Sequence, residues 1–177
     1  LLLQHLANGV SLGSLYALIA IGYTMVYGIL RLINFAHGDI FMMATYFAFY
    51  SVVSFNLPLY SSFILTIILT TILGMLVENL AYRPLRDAPK ISILISAIGA
   101  SFLIENLAII IFGGRPKAFP TSDSFTKVIQ LGNISIQRLF FIIPLVTASL
   151  LMVLLYIINK TKTGMAMRAV SRDHETA

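Results

Sequence analysis

The sequence predicts an all-α fold: a polytopic transmembrane helical bundle of about five spans, with one polar break at 31–39. Three observations support this fold class. The 177 residues are 58% hydrophobic and only 11% charged, whereas soluble domains usually carry about 25% charged residues. The mean hydropathy is +0.91. The charged residues also lie between long uncharged runs, so lipid is the solvent that best accommodates the apolar side chains.

The first half of the chain predicts three spans. A transmembrane helix needs roughly 20 apolar residues to cross about 30 Å of hydrocarbon, and Leu6 to Leu30 meets this requirement without a charged residue. The uncharged run 40–77 is too long for one crossing at about 1.5 Å per residue. Asn56 and Pro58 in its middle favour a turn, because proline lacks an N–H and restrains the residue before it. We therefore predict a hairpin of two short spans, 40–55 and 60–77.

The second half predicts two further spans separated by polar connections. A charged loop with two prolines covers 78–90, and the fourth apolar run, 91–112, is interrupted by Glu105. A long polar connection, 113–137, precedes the last span, 139–158. Basic residues are densest in the 78–90 loop and after residue 158, and two spans separate these segments. The positive-inside rule therefore predicts that both are cytosolic and that the N-terminus is outside.

A stripe of small residues runs along the first span. Gly9, Gly13 and Ala17 are spaced four apart and share one helix face. Small residues allow helix backbones to approach closely in lipid, where no hydrophobic force drives helices together. We expect this stripe to be a helix-packing surface.

The stretch "LINFAHGDIFM" places a polar break between two strongly apolar runs. One interpretation is a short cytosolic turn in which Asp39 caps the next helix, because its carboxylate can accept the N–H groups of the first turn. The other is a break at membrane depth, which is tolerated where the backbone is buried in protein or lines a wet cavity. Broken helices near the midplane are a recurring feature of transporters. The residues alone leave both interpretations open.

Several chemistries are not indicated by the sequence. Basic residues are not interleaved with exposed aromatics, so nucleic-acid binding is not predicted. The three histidines are scattered and cysteine is absent, so we expect no metal site and no cofactor. No G-x-x-x-x-G-K-[ST] stretch is present, so any ATP hydrolysis is expected on a partner. An intramembrane enzyme using Glu105, His37 or Asp39 would lack a recognisable nucleophile–base pair.

Four stretches in order carry a family resemblance: "NGVSLGSLYALIAIGYTMVYGILRLINFAHGDIFMM", "AYRPLR", "ISAIGAS" and "GMAMRAVSRD". They are spread from residue 8 to residue 173, so the resemblance extends over nearly the whole chain, which resembles the permeases of branched-chain amino acid ABC transporters. Related permeases for urea and short amides share much of this pattern. The resemblance implies that 1–177 is one transmembrane permease domain, the N-terminal part of a longer subunit that is truncated here at its C-terminus.

The resemblance also implies where the solute passes. The "INFAHG" segment belongs to the translocation core of such permeases, so Asn34, His37, Gly38 and Asp39 are expected to line or border the pathway. Glu105 is a further pathway candidate, because an ionisable group within a span costs roughly 2.5–3.5 kcal/mol on insertion scales and usually faces protein or water. The alternative for Glu105 is a structural position near the outer interface.

The tail after residue 158 is too polar to span the membrane and has the pattern of a surface helix. It could be a juxtamembrane helix whose basic residues contact lipid headgroups. The resemblance instead implies a cytosolic coupling segment, 159–177, that inserts into a groove on an ATPase subunit. Ala169, Asp173 and Ala177 are the candidate coupling residues.

The expected function is the permease subunit of an ATP-driven importer in a bacterial or archaeal inner membrane. By resemblance its solute would be a branched-chain amino acid, or a related amide or urea. The expected partners are ABC ATPase subunits, a second permease subunit, a periplasmic or surface solute-binding protein and membrane lipid. The chain itself would catalyse no covalent reaction. The alternative is a channel or an ion-coupled secondary transporter that needs no ATPase.

Overall fold

The computed structural model describes residues 2–30, 33–120, 128–131 and 134–172. Most of this part of the chain is helical, which confirms the predicted all-α class. The α-helices in it are α1 (Leu2–Leu30), α2 (His37–Val53), α3 (Leu59–Val77), α4 (Lys90–Phe112), α5 (Leu139–Lys160) and α6 (Lys162–Arg172). They belong to two compact units: one contains α2 to α4, and the other contains α1, α5 and α6.

Among the described residues, four helices are long and apolar enough to cross a membrane. They are Asn8–Gly28, Leu59–Leu85, Lys90–Phe112 and Phe141–Lys160. Helix α2 has 17 residues, fewer than the roughly 20 that a full crossing needs. The span count is therefore four to five, in agreement with the sequence, and the chain is a multi-pass membrane protein.

The predicted hairpin between α2 and α3 is confirmed. Asn56 has a φ of +50°, a conformation that asparagine tolerates better than most residues. Pro58 is the N-cap residue of α3. The hydroxyl groups of Ser51 and Ser62, each 2% exposed, hydrogen bond to each other across the hairpin. This contact pairs two polar groups that burial in an apolar environment would otherwise penalise.

The sequence prediction of a charged loop at 78–90 is wrong for its first half, because the helix of α3 continues. A π-helical turn, Glu78–Tyr82, follows α3 directly, and a 3₁₀ turn, Arg83–Leu85, follows it. Pro84 in the 3₁₀ turn lacks the N–H that would continue an α-helical ladder. Tyr82, the last residue of the π-helical turn, has its side chain in the core of this unit.

The core of the α2–α4 unit is small and contains few large side chains. Its buried members come from the residue before α2, from the end of α3 with its π-helical turn, and from α4: Ala36, Val77, Tyr82, Ile93, Ala97 and Ile104. The Ser96 hydroxyl of α4 donates to the carbonyl oxygen of Ala81 at 2.7 Å. The core therefore joins the polar break to α4 and to the π-helical turn.

In the other unit, α1 and α5 pack through small polar residues. Ser11 is 2% exposed and Thr147 is 8% exposed, and the Thr147 hydroxyl donates to the carbonyl oxygen of Ser14 at 3.4 Å. Serine and threonine side chains are small enough to allow close helix approach in lipid, and their hydroxyl groups can hydrogen bond across the interface.

A β-hairpin in this unit lies in the segment that the sequence analysis treated as a polar connection. Strands β1 (Val128–Leu131) and β2 (Ile134–Gln137) pair antiparallel, with Leu131 opposite Ile134 and Val128 opposite Gln137. The signal for it was present as "VIQL" and "ISIQ" on either side of Gly-Asn, the pattern typical of a two-residue hairpin. Residues 132 and 133 lie outside the described part of the chain.

Candidate functional site

Helix α2 begins at His37, within the polar break, and residues 33–36 before it are not helical. The backbone N–H of His37 donates to the carbonyl oxygen of Asn34 at 3.2 Å, and Ile40 donates to Ala36 at 2.9 Å. Ala36 is the N-cap residue and has no side chain that could cap the helix. The interpretation of Asp39 as the N-cap is therefore wrong, since Asp39 is the third residue of α2.

The side chain of Asn34, in the polar break, is hydrogen bonded to a tyrosine of the π-helical turn. The Tyr82 hydroxyl donates to Asn34 Oδ1 at 2.7 Å. Tyr82 is 8% exposed, and the neighbouring Ala36 is fully buried. An aqueous turn would present Asn34 to solvent, whereas here it is paired with a buried phenol, so part of the break is packed into the protein.

Asp39 connects the first turn of α2 to the middle of α4. The Ser101 hydroxyl donates to its carboxylate oxygen Oδ2. Ser101 is the twelfth of the 23 residues of α4, so it lies about 17 Å from either helix end at 1.5 Å per residue. Helix α4 is long enough to cross the membrane. The start of α2 therefore lies at the middle depth of α4 rather than beside one of its ends.

A carboxylate at this depth has two sources of stabilisation in the structure. The first is the charge-assisted hydrogen bond from Ser101. The second is its position in the first turn of α2, where the helix dipole is positive and favours an anionic side chain. Both act on the same carboxylate, which explains how an acidic residue can stand at this place without a basic partner on α4.

Of the other three sequence candidates, two lie next to Asp39 in α2 and one lies on α4. His37 is half-buried at the first position of α2. Gly38 is exposed, and a Cβ added there would meet no described atom within 4 Å. Glu105 is exposed on α4, one turn after Ser101. Asn34, His37, Gly38 and Asp39 thus lie together at the break, and Glu105 lies farther along α4.

The sequence analysis missed a cluster in which Lys117 packs over aromatic rings. Tyr46 stacks on Phe112 with ring centroids 4.5 Å apart, and the Lys117 ammonium lies 4.6 Å from the ring centroid of Tyr50. The same ammonium donates to the Tyr50 hydroxyl and, at 2.7 Å, to the carbonyl oxygen of Phe112. This cation–π cluster holds the segment after α4 against the end of α2.

No group of three or more metal-ligating side chains was found among the described residues. The chemistry that the break offers is therefore hydrogen bonding and charge: an amide, an imidazole, a carboxylate and the N–H groups of a helix N-terminus. These groups suit the recognition of a small polar or zwitterionic solute.

Residues 5–177 match the protein family described as "Branched-chain amino acid transport system / permease component". The chain belongs to this permease family. It is 38% identical over 97% of its length to the high-affinity branched-chain amino acid transport system permease protein BraD of Pseudomonas aeruginosa. It is 37% identical over 99% of its length to LivH of Salmonella typhimurium, and 36% identical to LivH of Escherichia coli K12.

The permease chain spans about three-fifths of the length of these relatives, 59% of BraD and 60% of the LivH proteins. No solved structure was found to match it.

In this permease, α6 is joined to α5 by a tight corner at Thr161. The Thr161 hydroxyl donates to the carbonyl oxygen of Ile157 at 2.6 Å and accepts from the backbone N–H of Gly164 at 3.1 Å. It therefore ends one helix and caps the next. Gly164 is buried here, and an added Cβ would lie 2.2 Å from the carbonyl oxygen of Ile158. The corner accordingly requires glycine at this position.

The two faces of α6 have different surroundings. Met167 and Ser171 border a cavity against α1 and α5, whereas Met165, Ala166 and Ala169 are exposed. Ala169, one of the three coupling candidates, is thus on the free face. The other two, Asp173 and Ala177, lie outside the described residues.

The small-residue stripe of α1 is exposed. Gly9, Gly13 and Ala17 are all accessible, and a Cβ added at either glycine would meet no described atom within 4 Å. Helix packing through this stripe therefore stays a prediction, and it concerns a surface that the described residues leave open.

Proposed function

We propose that the chain forms part of the membrane-spanning permease subunit of an ATP-binding-cassette importer for branched-chain amino acids. The observation that carries the proposal is the position of Asp39, at the N-terminus of a helix that begins level with the middle of α4. Family membership and the names of the relatives support the transport class and this solute. Related small amides and urea are the neighbouring solute class.

The break provides complementary groups for both ends of an amino acid zwitterion. The helix dipole at the start of α2 favours a carboxylate, and the Asp39 carboxylate favours an ammonium group. Asn34 and His37 add hydrogen-bonding groups on the same segment. In the proposed cycle the solute reaches this segment from one side of the membrane and leaves on the other as the helices rearrange.

The proposed energy source is an ATPase pair that docks on the exposed face of α6, with Ala169, Asp173 and Ala177 at the contact. A second permease subunit and a solute-binding protein complete the assembly in the inner membrane. The separation of the α6 faces supports this arrangement, because the coupling face can be occupied without displacing Met167 and Ser171 from the cavity that they line on the other face.

The experiment measures the initial rate of leucine uptake by the full-length permease, co-expressed with its ATPase, partner permease and binding protein. Asp39→Asn keeps the size of the side chain and removes its charge. We expect it to lower uptake by at least about tenfold, equivalent to about 1.4 kcal/mol, the scale of one charged hydrogen bond. Ser149→Ala is the matched control, because the Ser149 hydroxyl bonds only within its own helix among described contacts, to Val146 at 2.8 Å.

Two results would contradict the proposal. Equal uptake by the Asp39→Asn and Ser149→Ala proteins, at equal complex abundance, would remove Asp39 from the pathway. Uptake that survives ATP depletion and collapses with the ion gradient would instead establish the secondary-transporter alternative.

A further inference from the structure

A cavity of about 340 Å³ lies between α1, α5 and α6. Its walls are apolar and come from the last turns of two membrane-spanning helices, with Ile21, Met25 and Gly28 on α1 and Leu151, Leu154 and Ile158 on α5. Helix α6 contributes Met167, Arg168 and Ser171 to the lining. The volume lies within the range of small-molecule sites, and none of the residues described above as transport candidates contributes to it.

The walls and the rim of this cavity indicate different ligand chemistries. The α1 and α5 walls belong to helices that cross the membrane, so the group in contact with them is surrounded by hydrocarbon. The rim belongs to α6, whose Arg168 side chain is exposed and carries a permanent positive charge. No acidic side chain is among the residues that line the cavity. A ligand with a hydrocarbon tail and an anionic head fits both the apolar walls and the basic rim.

The position of the rim fits the headgroup layer of a membrane. Helix α6 follows directly after the last turn of α5, where Lys160 is exposed, and its own first residue, Lys162, is exposed as well. Basic residues at such a junction attract anionic lipid, but Lys162 is not part of the cavity lining. Among the described basic residues, only Arg168 lines the cavity, and it does so at the rim.

We propose that this cavity binds an anionic phospholipid of the leaflet on which α6 lies. One acyl chain occupies the groove between α1 and α5, and the Arg168 guanidinium holds the phosphate by charge-assisted hydrogen bonds. The Ser171 hydroxyl lies beside the same headgroup. The lipid packs against the inner face of α6. Because no transport candidate lines the cavity, lipid binding is independent of which solute the permease transports.

The first test is lipid binding to the full-length permease, purified in a mild detergent and titrated by native mass spectrometry. Phosphatidylglycerol and phosphatidylcholine with the same acyl chains are compared. Arg168→Gln is expected to weaken phosphatidylglycerol binding about fivefold to tenfold, the effect of one basic group, and to weaken the binding of phosphatidylcholine, whose phosphate charge is balanced by its choline, by a smaller factor. Lys162→Gln removes the same charge from the same helix outside the cavity and is the control, with an expected change below about twofold.

A second variant tests the apolar part of the site. Gly28→Leu places a side chain in the cavity from a position where an added Cβ meets no described atom within 4 Å. It is expected to lower the binding of both lipids. Glycerol phosphate, which has the head without the chains, is expected not to compete. Competition by glycerol phosphate at the affinity of the lipid would overturn the proposal in favour of a soluble phosphate ligand.

A third measurement does not depend on the folding of any variant. Phosphatidylglycerol with a photoactivatable acyl chain is added to membranes containing the unaltered permease complex, and the crosslinked peptides are sequenced. The proposal expects crosslinks concentrated at 21–28 and 151–158. Crosslinks spread evenly along α1 and α5, equal weakening by Arg168→Gln and Lys162→Gln, or occupation of these positions by an ATPase subunit would each overturn it.

Discussion

Gly164→Ala tests whether the α5–α6 corner is as tight as the structure shows. The added Cβ would lie 2.2 Å from the carbonyl oxygen of Ile158 and 2.3 Å from that of Ile157, both rigid backbone atoms. Contacts below 3.0 Å are essentially never observed for a Cβ, so the two helices must separate by about 0.8 Å. This movement would also lengthen the Thr161–Gly164 capping hydrogen bond, which is 3.1 Å long.

The expected free-energy cost follows from two opposing effects. Overpacking of this kind costs about 1–3 kcal/mol, whereas alanine favours a helix over glycine by up to about 1 kcal/mol. Because the added Cβ would meet two rigid backbone oxygens, the upper part of the overpacking range applies, about 2–3 kcal/mol. Subtracting about 1 kcal/mol for helix propensity leaves a net loss of docking free energy of about 1–2 kcal/mol, which corresponds to a change of roughly 5–30-fold in the ratio of docked to undocked α6.

The assay uses the absence of cysteine from this chain. Met167→Cys places a thiol on the inner face of α6, where Met167 lines the cavity. Its labelling by a soluble maleimide in native membranes should accelerate by the same factor of about 5–30 when Gly164→Ala is added. Met165→Cys, at a position that is 57% exposed, should label at an unchanged rate.

Gly99→Ala is the matched control, since an added Cβ there meets no described atom within 4 Å. Labelling at position 167 should be unaffected by it. If Gly164→Ala also left the Met167→Cys rate within about twofold of the parent, the corner would accommodate a Cβ and the close-approach argument would be wrong.

Two further predictions concern the α2–α4 unit. Tyr82→Phe removes the hydrogen bond to Asn34 and should lower the free energy of unfolding by about 1–3 kcal/mol, because the amide oxygen loses its partner in a partly buried place; unfolding in detergent micelles measures this. Lys117→Met keeps the length of the side chain and removes its charge, and it should cost about 0.5–2 kcal/mol. Hydrogen exchange of residues 113–120 should rise in that variant.

Each of these predictions has a control in the same compact unit. Tyr60→Phe changes a tyrosine that is 86% exposed and should not alter the unfolding midpoint. Lys90→Met removes a charge at the opposite end of α4 and should leave exchange in 113–120 unchanged. A Tyr82→Phe protein as stable as the parent would show that Asn34 is hydrated rather than held by the phenol.

The local elements of this fold were predictable from the sequence because their causes are local. Run length and charge placement predicted the spans, and Asn56 with Pro58 predicted the α2–α3 hairpin. The β-hairpin also had a local signal, the Gly-Asn pair between two alternating apolar segments, which composition alone obscured. The extension of α3 through the π-helical turn had no comparable signal, because its geometry depends on packing of Tyr82 in the core.

The sequence predicted which residues form the candidate site, but not where the site lies relative to the other helices. A polar run between apolar ones identified 31–39, yet a cytosolic turn and a buried break have the same local pattern. The contacts that distinguish them join residues far apart in sequence: Asp39 to Ser101 and Asn34 to Tyr82. The amino-acid sequence by itself thus determined that this chain enters a membrane and which residues interrupt its helices. Only the tertiary structure decided that the interruption lies beside the middle of α4, because this is a relation between helices and no single helix encodes it.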